Sequence, residues 1–258
     1  MGHPALDLTS KVAVVVGGTS GIGLALAEGL AVAGADVIPT GRRAELVEAA
    51  ANSIQKLGRK SLAVPCDVTD RSTIEALLDK ICAQFGAVDI LVNCAGTTKR
   101  KPTLEVSESE WNSILDINLT GALRACQVFG PKMIERRYGR IINVASLASR
   151  VALHEVTAYS ASKAALASLT QSLAVEWAKY GVCVNAIAPG VFRTDLNAGL
   201  LDGTPRGQEF KLRTPMGRFG KVEELVGAAV FLASDAASFV TGHLLAVDGG
   251  FLASGVNQ

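Results

Sequence analysis

Short apolar runs alternate along this chain with longer segments in which apolar residues recur every three or four positions. The short runs predict buried β-strands at residues 12–16, 37–40, 62–65, 90–93, 140–144, 182–188 and 244–247. The longer segments predict helices, and two of them carry clear apolar stripes: Ile74, Leu77, Leu78, Ile81 and Phe85 in one, and Leu166, Leu169, Thr170, Leu173 and Trp177 in the other. This alternation is typical of an α/β fold in which helices cover both faces of a doubly wound parallel sheet. We therefore expect one domain with about seven strands over residues 1–258.

One stretch late in the chain lacks this periodicity. Residues 192–213 contain Gly199, Gly203, Pro205 and Gly207 but no regular apolar stripe. Segments without a secondary-structure pattern lie on the surface of a protein and often carry function. We expect residues 192–213 to form a mobile lid over a cleft.

Composition argues against several other kinds of protein. The chain has 258 residues, of which 49% are hydrophobic, and a formal net charge of +1. It has no basic stripe, so we do not expect nucleic acid as a partner. No apolar run is long enough to cross a bilayer and the start shows no signal-peptide pattern, so the sequence predicts a cytoplasmic protein without a membrane partner. The five cysteines are scattered without zinc-ligand spacing, so we expect reduced core cysteines and no metal site.

The first predicted strand runs directly into a glycine-rich turn. Gly18, Gly21 and Gly23 allow a tight turn and a close approach of the backbone, and Ser20 and Ile22 complete the turn where the first helix begins. The N-terminus of a helix offers free N–H groups and positive partial charge to a pyrophosphate. The turn is expected of a Rossmann-type dinucleotide site, although the same glycines would also suit a merely flexible loop.

The end of the second predicted strand bears on the choice of nicotinamide cofactor. An acidic side chain there binds the ribose hydroxyls of NAD(H) and repels the 2′-phosphate of NADP(H). This chain has Gly41 at that place, followed by Arg42 and Arg43, whose guanidinium groups can pair with a phosphate. The sequence therefore predicts NADP(H) in preference to NAD(H). The alternative is that both arginines are solvated residues at the start of a helix.

Tyr159 and Lys163 lie four positions apart in a predicted helix, so both side chains can reach one cleft. A neighbouring ammonium group favours the phenolate and lowers the pKa of a tyrosine from its usual value of about 10. That pairing suits proton transfer to or from a reacting oxygen. By itself, the same spacing also fits an ordinary pair on a helix surface.

Further motifs occur in a fixed order from one end of the chain to the other. They are Gly17-Gly18-Thr19-Ser20-Gly21-Ile22-Gly23, Asp67-Val68, Asn93-Cys94-Ala95-Gly96, the Tyr159 and Lys163 pair, and Pro189-Gly190 with Thr194. Together they resemble the short-chain dehydrogenase/reductase family over essentially the full length. In this alignment the chain departs from the family pattern at two positions, with Gly17 in the place of the usual threonine and Cys94 in the place of the second asparagine. The resemblance implies an NAD(P)-dependent oxidoreductase that interconverts a secondary alcohol and a ketone, and it implies a homotetramer.

The resemblance also implies a role for each catalytic residue. Tyr159 would be the general acid in reduction and the general base in oxidation, while Ser146 would hold the substrate oxygen. Lys163 would lower the pKa of Tyr159 and bind the nicotinamide ribose, and Asn118 would hold a water behind Lys163. The structural alternatives are a helix cap for Ser146, a helix bend for Asn118 and a lid cap for Thr194. Apart from the glycine turn and the arginines, the cofactor contacts implied are Asp67, Val68, Asn93, Ala95, Gly96, Tyr159, Lys163, Pro189, Gly190 and Thr194.

Within the family, residues 97–102 and the C-terminal segment from Arg213 resemble the gluconate 5-dehydrogenase branch, which handles sugar acids and polyols. The charged loop at residues 99–101 leaves the Asn-Cys-Ala-Gly motif, and we expect Arg100 to hold a substrate carboxylate. Arg150 and His154 lie between the expected catalytic serine and tyrosine and are further candidates for substrate contact. A solvated loop is the alternative for Arg100, and a structural role is the alternative for His154.

Two other functions stay open at this point. A 3-oxoacyl-carrier-protein reductase of the same family would need a basic surface near the lid for its acidic carrier, and Arg206, Lys211 and Arg213 could supply it. A dinucleotide-binding sensor without turnover could also retain the fold. The complete catalytic set favours an enzyme over a sensor.

Overall fold

The structure is a computed structural model that describes residues 3–194, 197–255 and 257. Its centre is one parallel sheet of six strands in the order β2-β1-β3-β4-β5-β6. The strands are β1 (Val12–Val16), β2 (Asp36–Thr40), β3 (Ile90–Asn93), β4 (Gly139–Val144), β5 (Val182–Pro189) and β6 (Leu244–Val247). Helices flank this sheet, so the predicted Rossmann-type, doubly wound α/β fold is confirmed.

The helices are α1 (Gly21–Val32), α2 (Ala44–Lys56), α3 (Arg71–Phe85), α4 (Glu108–Leu115), α5 (Gly121–Arg136), α6 (Thr157–Trp177), α7 (Ala198–Leu201), α8 (Pro205–Arg213) and α9 (Val226–Ala233). A five-residue π-helix, Asp116–Thr120, joins α4 to α5. Local sequence accounts for several helix starts: Asp70 caps α3, and Ser107 forms a capping box with Glu110 at α4. In the described part of the chain, no helix is long and apolar enough to cross a membrane.

Alternate residues of the central strand β1 are buried on opposite faces of the sheet. Val12, Val14 and Val16 share a core cluster with residues of α3, α5 and α6. Ala13 and Val15 belong to a second cluster with residues of α1 and α9. Because both faces of β1 are covered, the strand is an unbroken apolar run instead of an alternating one.

The prediction of a strand at residues 62–65 is wrong. This segment runs beside β2, but it joins no strand of the sheet. β2 carries Pro39, which has no N–H to donate to a further strand. The Thr40 hydroxyl donates to the Val64 carbonyl at 2.6 Å and so replaces part of the missing backbone ladder. The sheet therefore has six strands instead of about seven.

The order of the strands places two separated motifs side by side. β1 lies between β2 and β3, so the chain passes from β1 to β2 on one side of β1 and then crosses to β3 on the other side. Open α/β sheets bind ligands in the crevice outside the carboxyl ends of two such strands. The glycine turn follows the end of β1, and the Asn93-Cys94-Ala95-Gly96 motif begins at the end of β3. The fold therefore brings both motifs to one crevice.

The predicted lid at residues 192–213 contains two helices, α7 and α8, although its sequence shows no apolar periodicity. Thr204 caps α8 by accepting a hydrogen bond from the Gly207 N–H at 3.0 Å. α7 is only four residues long and the segment is rich in glycine, so neither helix produces a recognisable apolar stripe. Asp195 and Leu196, which fall in the predicted lid, lie outside the described residues. The mobility of the lid stays a prediction.

Candidate active site

The glycine turn after β1 packs tightly against the chain that follows β3. Gly17 has a φ of +82°, and a Cβ placed on Gly17 would lie 2.5 Å from the Ala95 nitrogen. A Cβ placed on Gly23 would lie 2.0 Å from the Gly17 carbonyl oxygen. Both positions therefore require glycine. The resulting cradle has the close backbone approach that a dinucleotide needs.

This geometry corrects the expectation that Gly17 stands in the place of the family's threonine. A threonine there would press its Cβ into the backbone of Ala95. Counting back from Gly21 and Gly23 in the pattern Thr-Gly-x-x-x-Gly-x-Gly makes Gly17 the first glycine and puts Val16 in the place of the threonine. Val16 is 2% exposed and packs in the core. The departure from the family pattern is therefore an apolar core residue.

The start of α1 offers backbone N–H groups to an anion. Ser20 is the N-cap residue, and within the described part of the chain its side chain makes no capping hydrogen bond. The first N–H groups of the helix therefore keep their capacity to bind a phosphate. Thr194 lies across from this end, because its Cγ2 would be 3.5 Å from a Cβ on Gly21. Gly18 is buried in the turn and Ile22 is partly buried against the core.

Two exposed arginines follow β2 at the edge of the crevice. Gly41 lies close to the glycine turn, since a Cβ on Gly41 would be 3.2 Å from the Thr19 hydroxyl oxygen. Arg42 and Arg43 come next and are both exposed. Arg43 is also the N-cap residue of α2. This placement fits a 2′-phosphate and also fits solvated residues at a helix start, so the preference for NADP(H) stays a prediction.

Asp67 and Val68 lie beyond the segment that follows β2. The Asp67 carboxylate accepts hydrogen bonds from the Thr69 N–H at 2.9 Å and from its hydroxyl at 2.8 Å. Burial raises the pKa of the Asp67 carboxyl, but these hydrogen bonds and the charge of Arg42 outweigh burial and leave the pKa below its usual value. Val68 is 7% exposed and packs against Gly121 at the start of α5. Asp67 can therefore offer an ionised carboxylate, and Val68 an apolar surface.

Lys163 and Tyr159 lie together in the first turns of α6, as their spacing predicts. Lys163 is 4% exposed, and its ammonium group donates to the Val144 carbonyl at 2.7 Å, at the end of β4. Its Nζ lies 5.8 Å from the centre of the Tyr159 ring. Burial lowers the pKa of Lys163 to about 8. The two side chains therefore share one cleft, and the pair is not an ordinary one on a helix surface.

Burial raises the pKa of Tyr159, and the neighbouring Ser146 side chain, as a hydrogen-bonding partner of the phenol, only partly opposes the increase. The direction is opposite to the predicted lowering by Lys163, because the ammonium group donates to the Val144 carbonyl and burial dominates. The Ser146 hydroxyl oxygen also accepts from the Ala148 N–H at 3.0 Å. Ser146 is therefore a cap of a short 3-10 turn as well as a partner of the phenol.

Asn118 lies in the π-helix, and its side chain makes hydrogen bonds to the chain after β3 and to a residue of α6. It is 1% exposed, and its Oδ1 accepts from the Thr97 N–H at 2.7 Å. Its Nδ2 donates to the Thr97 carbonyl at 2.9 Å and to the Ser162 hydroxyl at 3.0 Å. A Cβ on Gly96 would lie 3.4 Å from Asn118 Oδ1 and 3.5 Å from Lys163 Nζ. The π-helix therefore turns Asn118 toward the catalytic lysine, and such bulges are frequent at functional sites.

The Asn93 side chain belongs to a buried polar network. It is 4% exposed, and its Nδ2 donates to Asn143 Oδ1 at 2.9 Å. The Asn143 Nδ2 in turn donates to the Thr170 hydroxyl at 2.9 Å. This network links β3, β4 and α6 through Asn93 Nδ2, whereas Asn93 Oδ1 is buried without a hydrogen-bond partner among the described residues. Sequence reasoning missed Asn143 and placed Thr170 in an apolar stripe, because neither residue belongs to a recognisable motif.

The end of β5 is held against the chain that follows β6. Gly190 donates its N–H to the Val247 carbonyl at 2.9 Å. A Cβ on Gly190 would lie 2.6 Å from the Asp248 Cα, so this contact requires glycine. Pro189 is the last residue of β5 and is buried. The segment from Pro189 to Thr194 is thereby fixed where it leaves the sheet.

The charged loop at residues 99–101 is paired with carboxylates. Arg100 Nε lies 2.6 Å from Glu155 Oε2. Lys99 and Lys101 both pair with Glu110, with Lys101 Nζ at 3.1 Å from Oε2. Arg100 was expected to hold a substrate carboxylate, and the structure gives it a carboxylate from the protein itself. Sequence reasoning missed this partner because Glu155 is 55 positions away.

His154 and Arg150 are exposed residues of the loop between Ser146 and Tyr159. The His154 side chain is 78% exposed, and its Nδ1 lies 3.6 Å from Glu155 Oε2. Its backbone carbonyl accepts a hydrogen bond from Arg206 Nη1 at 3.2 Å. His154 and Arg206 both line a cavity of about 730 Å³. Sequence reasoning assigned Arg206 to a carrier-binding surface, and only the fold places it beside this loop.

The remaining titratable groups are scattered over the part of the chain that the structure describes. Among the described residues, no group of three or more His, Cys, Asp or Glu side chains could hold a metal ion. All five cysteines are free. Burial raises the pKa of the Cys94 thiol to about 11 and that of the Cys126 thiol to about 12. Both thiols are therefore protonated near neutral pH, and neither is an activated nucleophile.

Comparison with known proteins agrees with this geometry. A family profile described as "Enoyl-(Acyl carrier protein) reductase" matches residues 16–252. Gluconate 5-dehydrogenase from Gluconobacter oxydans is 40% identical over 258 residues, which cover 98% of this chain and all of the relative. An NAD-dependent glycerol dehydrogenase from Listeria innocua is 40% identical over 245 residues, covering 95% of each chain. A crystal structure of a gluconate 5-dehydrogenase from Burkholderia cenocepacia, in complex with NADP and tartrate, superimposes with a TM-score of 0.93 at 38% identity, covering 97% of this chain and 98% of that one.

The chain belongs to the short-chain dehydrogenase/reductase family, as its motifs predict. It is a nicotinamide-nucleotide-dependent oxidoreductase that acts on a small molecule. The glycine cradle, which any Cβ would fill, and the uncapped start of α1 fit the pyrophosphate of such a cofactor. The relatives favour the sugar-acid and polyol dehydrogenases of the family over the carrier-protein reductase.

Proposed function

We propose that the enzyme interconverts a secondary hydroxyl group and a ketone on a sugar acid or polyol, with NADP(H) preferred to NAD(H). The observation that carries the proposal is the meeting of Tyr159, Ser146 and Lys163 at the carboxyl ends of the strands, beside a dinucleotide cradle. The relatives named for gluconate and glycerol support the class of substrate.

Tyr159 and Ser146 act on the reacting oxygen. Hydride transfer is the chemistry that a nicotinamide bound in this crevice supplies. The Tyr159 hydroxyl gives a proton to the carbonyl oxygen during reduction and accepts one from the alcohol during oxidation. The Ser146 hydroxyl, which lies beside the phenol, holds the same oxygen and stabilises negative charge that develops on it. Because burial raises the pKa of Tyr159, the phenol is protonated near pH 7 and ready for the reductive direction.

Lys163 and Asn118 support this proton transfer. With a pKa of about 8, Lys163 is mostly protonated at neutral pH, and its positive charge beside the ring favours the phenolate that reduction produces. Asn118 positions the lysine by fixing the chain at Gly96 and Thr97. The Asn118 Oδ1 accepts one hydrogen bond from the protein and has a second lone pair for the water of a proton relay.

The cofactor is bound along the crevice by groups with distinct partners. Residues 18–23 hold the pyrophosphate through backbone N–H groups. Asp67 and Val68 contact the adenine. Ala95, Gly96, Lys163, Gly190 and Thr194 bind the nicotinamide end, and the backbone at Pro189 helps to orient it.

The preference for NADP(H) rests on the end of β2. No carboxylate stands at Gly41 to repel a 2′-phosphate, and Arg42 and Arg43 offer two guanidinium groups. The Burkholderia relative with bound NADP supports this choice, whereas the Listeria relative is named as NAD-dependent. Michaelis constants for both cofactors, measured with one substrate, test the preference. A higher kcat/KM with NAD(H) would contradict it.

The substrate class is tested with purified enzyme and a panel followed by nicotinamide absorbance. The panel contains gluconate and related sugar acids, polyols, their keto forms and a model 3-oxoacyl thioester. Turnover of a sugar acid, a polyol or a keto form supports the proposal, and turnover of the thioester alone contradicts it. An acidic carrier protein would need free cations near the lid. Two of the candidates already have partners, because Arg213 pairs with Glu209 at 3.0 Å and Lys211 Nζ lies 4.7 Å from the centre of the Phe219 ring. Cofactor binding without any turnover would instead indicate a dinucleotide sensor.

A homotetramer in the cytoplasm is the assembly and location that we propose. Family resemblance supports the tetramer, and the metabolic names of the relatives support the location. Light scattering of the protein as it elutes from a size-exclusion column measures the mass of the assembly directly. A monomeric mass with full activity would contradict the tetramer.

A further inference from the structure

Arg206 lies near the start of α8 and lines the cavity of about 730 Å³. Another wall of this cavity is the loop at residues 151–154, which leads from Ser146 to the start of α6 and Tyr159. Cavities of roughly 300–1,000 Å³ with mostly apolar walls and a few polar groups are typical of small-molecule sites. The cavity is therefore large enough for a sugar acid, and one of its walls is the loop that joins Ser146 to the helix of Tyr159.

Within the described residues, the Arg206 guanidinium keeps most of its hydrogen-bonding capacity. Its Nη1 donates to the His154 carbonyl at 3.2 Å, and its centre lies 5.3 Å from the centre of the Phe210 ring. An arginine has five N–H donors, so one bond to a carbonyl leaves a fork for a planar anion. The aromatic ring and the carbonyl hold this fork in place at the wall of the cavity.

Two other cations near Arg206 already have carboxylate partners. Arg100 pairs with Glu155, and Arg213 pairs with Glu209 at 3.0 Å. For Arg206, no carboxylate within the described residues lies within 4 Å of the guanidinium nitrogens. Burial lowers the pKa of Arg206 and the charge of Arg100 adds to this effect, while Glu155 and Glu209 oppose it. An arginine stays charged under such shifts, so Arg206 is a partly desolvated cation with no carboxylate within 4 Å in the part of the chain that the structure describes.

The pair that occupies Arg100 is built into the loop before α6. Glu155 has a φ of +64°, in the left-handed region that residues other than glycine seldom adopt. Its carbonyl accepts a hydrogen bond from the Lys101 N–H at 2.8 Å, and its carboxylate meets Arg100. Backbone conformations of this kind persist where the surrounding structure imposes them. The loop geometry therefore assigns Arg100 to Glu155.

We propose that Arg206, and not Arg100, binds the carboxylate of a sugar-acid substrate and so determines the preference for acids over uncharged polyols. This inference rests on the proposed function and deepens it. The planar fork of Arg206 takes the carboxylate in two hydrogen bonds at the cavity wall. The hydroxyl groups of the substrate then extend along the loop toward Tyr159.

The test compares an acid with an uncharged polyol of the same length in matched variants. Gluconate and glucitol are assayed with wild type, Arg206→Gln, Arg206→Lys and Arg100→Gln. Lys211→Gln is the control, because Lys211 is a cation on the same helix that faces Phe219. We expect Arg206→Gln to lower kcat/KM for gluconate by about 10- to 100-fold, mainly through KM, and to change glucitol by less than about threefold. Arg206→Lys should recover part of the loss, because it restores the charge but not the fork.

Four results would contradict the inference, and each has a different explanation. An equal loss for gluconate and glucitol in Arg206→Gln would show that Arg206 only holds the lid. An acid-selective loss in Arg100→Gln with none in Arg206→Gln would return the role to Arg100. Wild type that oxidises glucitol but no sugar acid would overturn the inference and leave the polyol part of the proposed function standing. Wild type without turnover on either class would overturn both.

Discussion

The contact between Gly17 and the Ala95 backbone predicts that a single methyl group will damage the cofactor site. Gly17→Ala puts an L-residue at a φ of +82°, which costs roughly 1–2 kcal/mol in the left-handed region. The new Cβ also lies 2.5 Å from a backbone nitrogen that cannot rotate away, and overpacking of this kind costs about 1–3 kcal/mol. Together these effects lower the free energy of unfolding by about 2–5 kcal/mol.

Gly58→Ala is the matched control for this experiment. Gly58 has a φ of +79°, and a Cβ there would meet nothing within 4 Å, so its loss is limited to about 1–2 kcal/mol. Urea denaturation measures the free energy of unfolding, and fluorescence titration measures the Kd for NADPH. We expect Gly17→Ala to bind NADPH at least about tenfold more weakly because the cradle must shift, and Gly58→Ala to bind it normally. Equal destabilisation of the two variants, or normal affinity in Gly17→Ala, would refute the argument.

Two further predictions concern pH and cofactor choice. Because burial raises the pKa of Tyr159, its base form is the minority near neutral pH, so log kcat/KM for alcohol oxidation should rise by about one per pH unit between about pH 6 and 8 and flatten above this range as Lys163 loses its charge, with the reductive profile flat near pH 7. An oxidative profile that stays flat over this range would contradict the role of Tyr159 as base. The double variant Arg42→Ala with Arg43→Ala should raise KM for NADPH by about 10- to 100-fold and leave NADH unchanged, with Lys56→Ala at the far end of α2 as control. A similar change for both cofactors would count against a phosphate contact.

The parallel sheet could be predicted because its central strands β1, β3 and β4 are buried on both faces. The apolar run of β1 appears in the sequence as clearly as in the structure, and the glycine turn follows it directly. Tyr159 and Lys163 were found because one helical turn brings them together whatever the rest of the fold does. These features depend on neighbours in the sequence, which is why the sequence reveals them.

Features that depend on distant partners could not be predicted in this way. The segment at residues 62–65 has the composition of a strand, but Pro39 on its neighbour removes a donor from the ladder. The pKa of Tyr159 depends on burial by the whole site and on where Lys163 sends its hydrogen bond. Likewise, the sequence does not show that Arg100 pairs with Glu155, because only the fold brings the two side chains together.

The glycine motif illustrates a different kind of error. A count that started at the wrong residue placed the family's threonine at Gly17 instead of Val16. The spacing to Gly21 and Gly23 puts Val16 at that place, and the contact with Ala95 shows independently that Gly17 cannot carry a side chain.

The most direct test of the central claim is the activity of Tyr159→Phe, which removes one hydroxyl group and keeps the ring. The chain has three tyrosines, and Tyr180→Phe serves as the control because its ring lies outside the site, beside Lys179. If Tyr159 is the proton donor and acceptor, kcat should fall by roughly 10²- to 10⁴-fold while the Kd for NADPH changes by less than about threefold. Activity of Tyr159→Phe equal to that of Tyr180→Phe, on a substrate that wild type turns over, would contradict the account.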